Sequence, residues 1–144
     1  MKETDFSNKF INEYLKKKFP YMWYKKIHGD MYQKDIADHL FCINSMFVAI
    51  EFKIQRDGRI SITPMQIREL NQIKNANGLS LIVGYDENYN KILIRKKQLD
   101  YKAIFLKPSN RSVKSKYIKI DWDFEFNNYE NAIDLISLML SEGG

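Results

Sequence analysis

The sequence has little cysteine, histidine, glycine or proline. Among its 144 residues are one cysteine, two histidines, six glycines and three prolines. A single cysteine excludes an intramolecular disulfide and a cysteine-rich zinc cluster, and the apolar surroundings of Cys42 predict a small buried side chain. His28 and His39 have no ligand partners at the spacing of a zinc site. We therefore expect a reduced, cytoplasmic protein.

Long apolar runs are also absent. No uninterrupted run approaches the ~20 residues that a membrane-spanning helix needs, and residues 1–8 contain no apolar signal core. We expect no membrane association. A hydrophobic content of 44% is enough for one core. The prediction is a single domain over 1–144, with a core over 6–86 and a C-terminal hairpin, basic loop and closing helix over 87–144.

Charge is divided unevenly along the chain. All 23 lysines and arginines precede residue 121, together with 12 of the 18 acids, so that part carries +11 and the remainder −6. The basic residues gather in four stretches: Lys16-Lys17-Lys18, Lys25-Lys26, Arg95-Lys96-Lys97 and 107–119. This excess predicts a surface that binds a polyanion with strong salt dependence, although each stretch alone is more often a solvated face.

Hydrophobic periodicity and turn residues predict the order of elements. A strand that is reached across a helix should lie parallel to an earlier strand, which predicts an α/β fold with a mixed sheet. The predicted helices cover 5–18, 64–77 and 129–140. The predicted strands cover 21–28, 35–43, 46–54, 79–85, 91–95 and 117–120, and 107–116 is predicted to be a loop.

Two carboxylates and a lysine interrupt two predicted strands that are otherwise apolar. A two-residue turn at Asn44-Ser45 pairs position 43 with position 46, and this register puts Asp38 opposite Glu51. Opposed positions share one face of an antiparallel pair with Cβ atoms ~5 Å apart, where like charges are destabilising unless something compensates. Lys53 follows Glu51 by two residues and points to the same face. The pattern predicts a divalent cation between the carboxylates.

A structural interpretation of these charges is also open. Glu51 and Lys53 could be solvated residues of an edge hairpin, or Asp38 and Lys53 could form a structural ion pair. The neighbouring positions on both faces are almost all apolar. Buried strands rarely carry charge without a partner or a metal, which favours the functional interpretation.

The stretch KDIADHLFCINSMFVAIEFKIQ, followed by ITPMQIRELNQIKNANGLSLIVGY, resembles the PD-(D/E)XK nuclease superfamily. Over roughly residues 6–86 the chain looks most like small VRR-NUC and archaeal-type Holliday-junction-resolvase domains. Asp38 matches the aspartate of the first half-motif, and Glu51 and Lys53 match E-x-K. Ala37 stands where the family often has proline. The resemblance implies a restriction-endonuclease-like core: a mixed sheet, with an antiparallel meander plus a parallel strand, flanked by helices.

The resemblance also implies metal-dependent hydrolysis of phosphodiesters. It predicts Mg²⁺, with Mn²⁺ as a substitute, on Asp38, Glu51 and the backbone carbonyl of Phe52. Oxygen ligands suit this ion. Lys53 is expected to orient the attacking water or to neutralise charge.

Two further residues are expected at the site because related enzymes often have a glutamine and a third acid there. Gln66 is the expected glutamine, although the same residue completes a helix capping box with Thr63. Glu13 is the expected third acid and metal ligand. It lies at the border of the apolar arc of the first helix, where it could equally be a solvated glutamate.

DNA is the expected partner, and branched or Holliday-junction DNA the expected substrate. The expected nucleic-acid contacts are Lys25, Lys26, His28 and Arg68. Resolvases cut two strands, so the resemblance implies a homodimer. The alternatives are a site-specific restriction or homing-type endonuclease, and a catalytically silent DNA-binding module on the same fold.

Aromatic residues crowd the predicted first strand, among them Tyr21, Trp23 and Tyr24. Such side chains can stack on unpaired bases. An aromatic-rich strand more often contributes to the core. The sequence alone leaves both base stacking and core packing open for these side chains.

Overall fold

The computed structural model describes residues 1–27, 39–105 and 115–142. Its helices are α1 (Glu3–Lys9), which continues through a π-helical segment (Phe10–Leu15) into α2 (Lys16–Lys18), then α3 (Pro64–Asn75), α4 (Tyr101–Phe105) and α5 (Tyr129–Ser141). Its strands are β1 (Trp23–Lys26), β2 (His39–Ile43), β3 (Met46–Gln55), β4 (Ile60–Ile62), β5 (Leu79–Asp86), β6 (Lys91–Arg95), β7 (Lys116–Ile118) and β8 (Phe124–Phe126). None of these helices is long and apolar enough to cross a bilayer.

A mixed sheet in the order β1-β2-β3-β5-β6-β8 organises the described part of the chain. β1, β2 and β3 form an antiparallel meander, whereas β3 and β5 are parallel. A parallel pair cannot be joined by a tight hairpin, and the connection from β3 to β5 runs through β4 and α3. The predicted α/β architecture, a meander with one parallel strand and flanking helices, is confirmed.

The turn between β2 and β3 has the predicted register. Ile43 pairs with Met46, and the ladder continues to His39 opposite Ile50. Asn44 and Ser45 have φ values of 51° and 66°. Two left-handed residues in succession match the twist of the flanking strands, so this turn sets the pairing of the whole hairpin.

Alternation along β3 divides the core between the two faces of the sheet. Even-numbered residues such as Ile50 and Phe52 pack with Phe6 and Phe10 of the N-terminal helical segments and with residues of α5. Odd-numbered Ala49 packs on the other face with residues of β4, α3 and α4. Glu51 and Lys53 share the face of Ala49. We call the side of the sheet that packs against α3 the α3 face, and it is the face that carries Glu51 and Lys53.

The prediction that Cys42 is buried is wrong, because its side chain is exposed. Cys42 lies directly between Trp23 and Phe47, which are also exposed. The cluster beneath α3 includes Leu40 and Ala49 but not these three residues. An apolar strand position is buried only where another layer covers it.

The C-terminal part differs from the prediction in three ways. The strand predicted at 117–120 is β7, which pairs with β4 in a separate two-stranded sheet. β8 adds an edge strand beside β6, and α4 forms over Tyr101–Phe105; neither was predicted. Most of the loop predicted at 107–116 lies outside the described residues.

Candidate active site

Buried Glu51 and Lys53 form a hydrogen-bonded group with half-buried Gln66. The Gln66 Nε2 donates to Glu51 Oε1 at 2.9 Å, and Lys53 Nζ donates to Gln66 Oε1 at 3.0 Å. Lys53 Nζ lies 3.7 Å from Glu51 Oε1. Glu51 is 1% exposed and Lys53 is 6% exposed. Burial of two charges is costly unless they are paired and hydrogen-bonded, and this arrangement supplies both.

The start of α3 explains how Gln66 reaches the charged pair. Thr63 Oγ1 accepts the Gln66 backbone N–H at 3.2 Å, and Gln66 Oε1 accepts the Thr63 backbone N–H at 3.0 Å. Pro64 is the first helical residue. The predicted capping box is confirmed, and the same side chain also contacts Glu51 and Lys53. The cap and the contact with the site are thus compatible.

The polar row continues along β3 to Gln55. Gln55 Nε2 donates to Asp86 Oδ2 at 3.1 Å, and the Trp122 indole N–H donates to Gln55 Oε1 at 2.7 Å. Gly84 is the β5 partner of Lys53. A Cβ added to Gly84 would lie 2.7 Å from the Trp122 ring. The indole therefore covers β5 directly beside Lys53, and glycine permits that approach.

Two predicted site residues, Asp38 and His28, lie outside the described residues. The ladder described between β2 and β3 reaches His39 and Ile50, one position short of the predicted pair. The role of Asp38 opposite Glu51 stays a prediction. Within the described ranges, no cluster of three or more His, Cys, Asp or Glu residues is arranged to hold a metal ion.

Phe52 directs its side chain away from Glu51. Its ring centroid lies 5.7 Å from that of Phe6 and 5.4 Å from that of Phe10, in the core beneath the N-terminal helix. The prediction for Phe52 concerns its backbone carbonyl, which is independent of the side-chain face. That prediction stays open.

Glu13 does not come together with Glu51. It is exposed on the π-helical segment. It lines an open groove with Tyr14, Lys17, Lys18, Glu130, Ile133 and Asp134. This helical layer packs on the Phe52 face of the sheet, whereas Glu51 points to the α3 face. The arrangement does not support a metal ligand at Glu13.

The predicted nucleic-acid contacts are dispersed. Lys25 is exposed and pairs with Leu40, on the Glu51 face. Lys26 pairs with His39 and so belongs to the opposite face. Arg68 is exposed on α3, with its guanidinium carbon 4.6 Å from the centroid of the Tyr101 ring. Lys25 shares the face of the charged pair, and Arg68 lies on the helix that covers that face.

Arg95, from one of the basic stretches, binds backbone carbonyl groups of neighbouring segments. Its guanidinium donates to the backbone carbonyls of Lys97, Gln98 and Asp121 at 3.0, 3.1 and 2.7 Å. These bonds tie the end of β6 to the segment before β8. Arg95 therefore has a structural role that the charge pattern did not indicate.

His39 is buried on the Phe52 face. Its ring packs edge-on against Phe52 at 5.0 Å, and its Nδ1 is hydrogen-bonded to the Tyr24 hydroxyl at 2.8 Å. Burial, with a smaller contribution from Lys26, lowers the pKa of His39 from 6.5 to about 4. The imidazole is therefore neutral at neutral pH and acts as a core residue. His39 pairs with Ile50 and so lies on the face opposite Glu51 and Lys53.

Acidification should destabilise the protein through His39. Its folded-state pKa of about 4 lies below the ordinary 6.5, so the unfolded state binds the proton first. The contribution is fully present above pH 6.5 and is lost as the pH falls towards 4, by up to about 3 kcal/mol. Urea unfolding of the wild type and His39→Phe between pH 7.5 and 4.5 measures the difference. Identical pH slopes in the two proteins would contradict the assignment.

Sequence reasoning missed one residue near the site. Trp122 lies far along the chain, and nothing in its local pattern marks it as a neighbour of Lys53. Its indole N–H donates to Gln55, two residues after Lys53 on β3.

Comparisons with known proteins found likenesses of structure. No family model and no curated protein matches the chain. The Holliday junction resolvase Hjc of Archaeoglobus fulgidus aligns with a TM-score of 0.49 and 12% identity, over 81% of this chain and 87% of that one. A bacterial homing endonuclease aligns with a TM-score of 0.40 and 14% identity, over 98% of this chain and 91% of that one. At these identities the likeness is one of fold alone.

The chain's own architecture agrees with the PD-(D/E)XK resemblance of its sequence. The strand that carries Glu51 and Lys53 follows an antiparallel meander and runs parallel to the strand after α3. Gln66 at the start of α3 contacts both charged side chains. The chain therefore has the mixed sheet, with an antiparallel meander and a parallel strand, that the sequence resemblance implied.

Proposed function

We propose that this chain is a metal-dependent endodeoxyribonuclease that hydrolyses phosphodiesters of branched DNA. The observation that carries the proposal is the buried pair of Glu51 and Lys53, joined by the side chain of Gln66. A helix cap needs only Thr63 and Gln66. Burial of the Glu51 carboxylate and the Lys53 ammonium beneath that cap costs free energy, and the cap does not need either charge. A catalytic function explains the retention of both charges.

The oxygen donors of β3 fit a hard divalent cation. Glu51 supplies a carboxylate and Phe52 a backbone carbonyl, and the predicted register adds Asp38. Mg²⁺ favours such ligands. When bound, the ion would lower the pKa of a water molecule and stabilise the negative charge that develops on the phosphate.

Lys53 and Gln66 supply the remaining chemistry from the protein itself. Lys53 Nζ is held by Gln66 Oε1 and by its proximity to Glu51. An ammonium fixed in this way can neutralise charge on a phosphate oxygen or orient the attacking water without reorganising during the reaction. Gln66 is a positioning residue, because its two hydrogen bonds fix Glu51 and Lys53 relative to each other. Trp122 packs over Gly84, the β5 partner of Lys53.

Glu13 is the predicted third acid, but it lies with the first helix on the Phe52 face of the sheet, opposite Glu51. We expect Glu13→Gln to keep an initial cleavage rate within about twofold of the wild type, whereas loss of a residue that supports a metal ligand typically lowers it about tenfold or more. A loss of that size in Glu13→Gln would restore Glu13 as the ligand.

The test of the proposal is cleavage of a labelled DNA panel: a four-way junction, a flap, a linear duplex and a single strand. Cleavage should require Mg²⁺ or Mn²⁺, stop in EDTA and favour a branched DNA. A homodimer that cleaves branched DNA would place one active site on each of two strands. Sedimentation with and without DNA measures whether that dimer forms. Salt-sensitive binding without cleavage would replace the nuclease with a DNA-binding module.

A further inference from the structure

Three exposed side chains form a continuous row across the edge of the sheet. Trp23 of β1 pairs with Cys42 of β2, and Cys42 pairs with Phe47 of β3. Trp23 is 51% exposed, Phe47 is 43% exposed, and Cys42 is also exposed. Directly opposed residues share one face of a sheet. We call these three residues the aromatic row.

The aromatic row lies on the same face as Glu51. Phe47 and Glu51 are four residues apart on β3, an even number, so both side chains point to the α3 face. The separation is about 13 Å at ~3.3 Å per residue, and Trp23 lies about 10 Å to the side at ~4.8 Å per strand. The path from Glu51 to the aromatic row is therefore about four or five nucleotides long in a stacked strand, at ~3.4 Å per nucleotide.

The charge next to the aromatic row suits a nucleic acid. Lys25, two residues from Trp23, is exposed on the same face. The other β1–β3 residues on this part of the face are Leu40 and Ala49, so these strands present a cation and no carboxylate before Glu51 is reached. The chain before residue 121 also carries +11. A polyanion with apolar faces is the ligand that fits this surface.

We propose that the aromatic row stacks on unpaired nucleobases of the DNA strand that enters the site. An indole and a phenyl ring bind the flat face of a base and do not depend on its identity. In a duplex those faces are covered by neighbouring base pairs, so only unpaired nucleotides can use them. The inference rests on the proposed function for its substrate, and it specifies DNA that has unpaired nucleotides near the cut.

The cysteine in the centre of the aromatic row provides a direct probe. Cys42 is the sole cysteine of the chain, so a maleimide labels this position alone. In EDTA, saturating oligothymidine should slow labelling about tenfold or more, whereas a fully paired duplex of equal length should change the rate less than about twofold. Equal protection by both DNAs, or protection by neither, would overturn the proposal.

Substitutions test the stacking independently. Trp23→Ala should weaken the binding of fluorescent oligothymidine about tenfold, and Trp23→Phe should retain most of the affinity. Tyr89→Ala is the matched control, because it removes a side chain that is 75% exposed at the β5–β6 turn. Circular dichroism establishes that each variant is folded. Affinity for oligothymidine that is unchanged in Trp23→Ala and in Phe47→Ala would refute the stacking.

The two proposals fail separately in these experiments. Labelling and binding are measured without metal, so an inactive protein could still show the stacking. Conversely, metal-dependent cleavage with unchanged oligothymidine affinity in Trp23→Ala would retain the nuclease and remove the aromatic row from it. Labelling without DNA that slows as protein concentration rises would mean that a second copy covers the row, which would also overturn the proposal.

Discussion

Replacement of Glu51 by glutamine is expected to lower metal-dependent cleavage about a thousandfold, equivalent to ~4 kcal/mol of transition-state stabilisation. The amide oxygen can still accept the hydrogen bond that Gln66 Nε2 donates at 2.9 Å. The substitution removes the negative charge and keeps the shape of the side chain. Single-turnover cleavage of the preferred panel substrate, at a temperature well below the unfolding midpoint of the variant, measures the effect.

A matched substitution elsewhere separates this effect from a general change in charge. Glu125→Gln alters an exposed carboxylate of β8 that pairs with Lys91, and its cleavage rate should equal that of the wild type. DNA binding in EDTA should persist in Glu51→Gln, because the substitution adds no negative charge. Cleavage by Glu51→Gln at more than a tenth of the wild-type rate would remove Glu51 from the reaction.

The central part of the candidate site could be predicted because local rules determine it. A two-residue turn sets the register of β2 and β3, and alternation then assigns Glu51 and Lys53 to one face. The capping box locates Gln66 at the first turn of α3. The parallel alignment of β3 and β5 follows from the intervening helix. Each step needs only sequence separation and chain geometry.

Sequence reasoning was insufficient where packing between distant segments decides the result. The rotation of the first helix about its axis depends on how Phe6 and Phe10 pack against Phe52, so the direction in which Glu13 points could not be read from periodicity. Cys42 is exposed because the layer beneath α3 ends before it. The position of Trp122 beside Lys53 depends on the path of the chain after β6, which no local signal specifies.

Lys53→Met is expected to abolish cleavage and also to destabilise the fold by about 3 kcal/mol. The Lys53 ammonium lies 3.7 Å from the Glu51 carboxylate and donates to Gln66. Methionine has a similar length but no charge, so Glu51 remains buried without that ammonium. An uncompensated buried charge is costly, and urea unfolding at pH 7 measures the loss.

The double variant distinguishes catalysis from stability. Glu51→Gln/Lys53→Met has neither charge, so it should recover about 2 kcal/mol of the unfolding free energy lost in Lys53→Met. It should remain inactive, because both charged groups of the reaction are gone. Recovery of stability without activity would show that each charge destabilises the fold when its partner is absent, and that the pair is needed for catalysis. Strict additivity of the two single variants in unfolding free energy would instead mean that Glu51 and Lys53 do not interact.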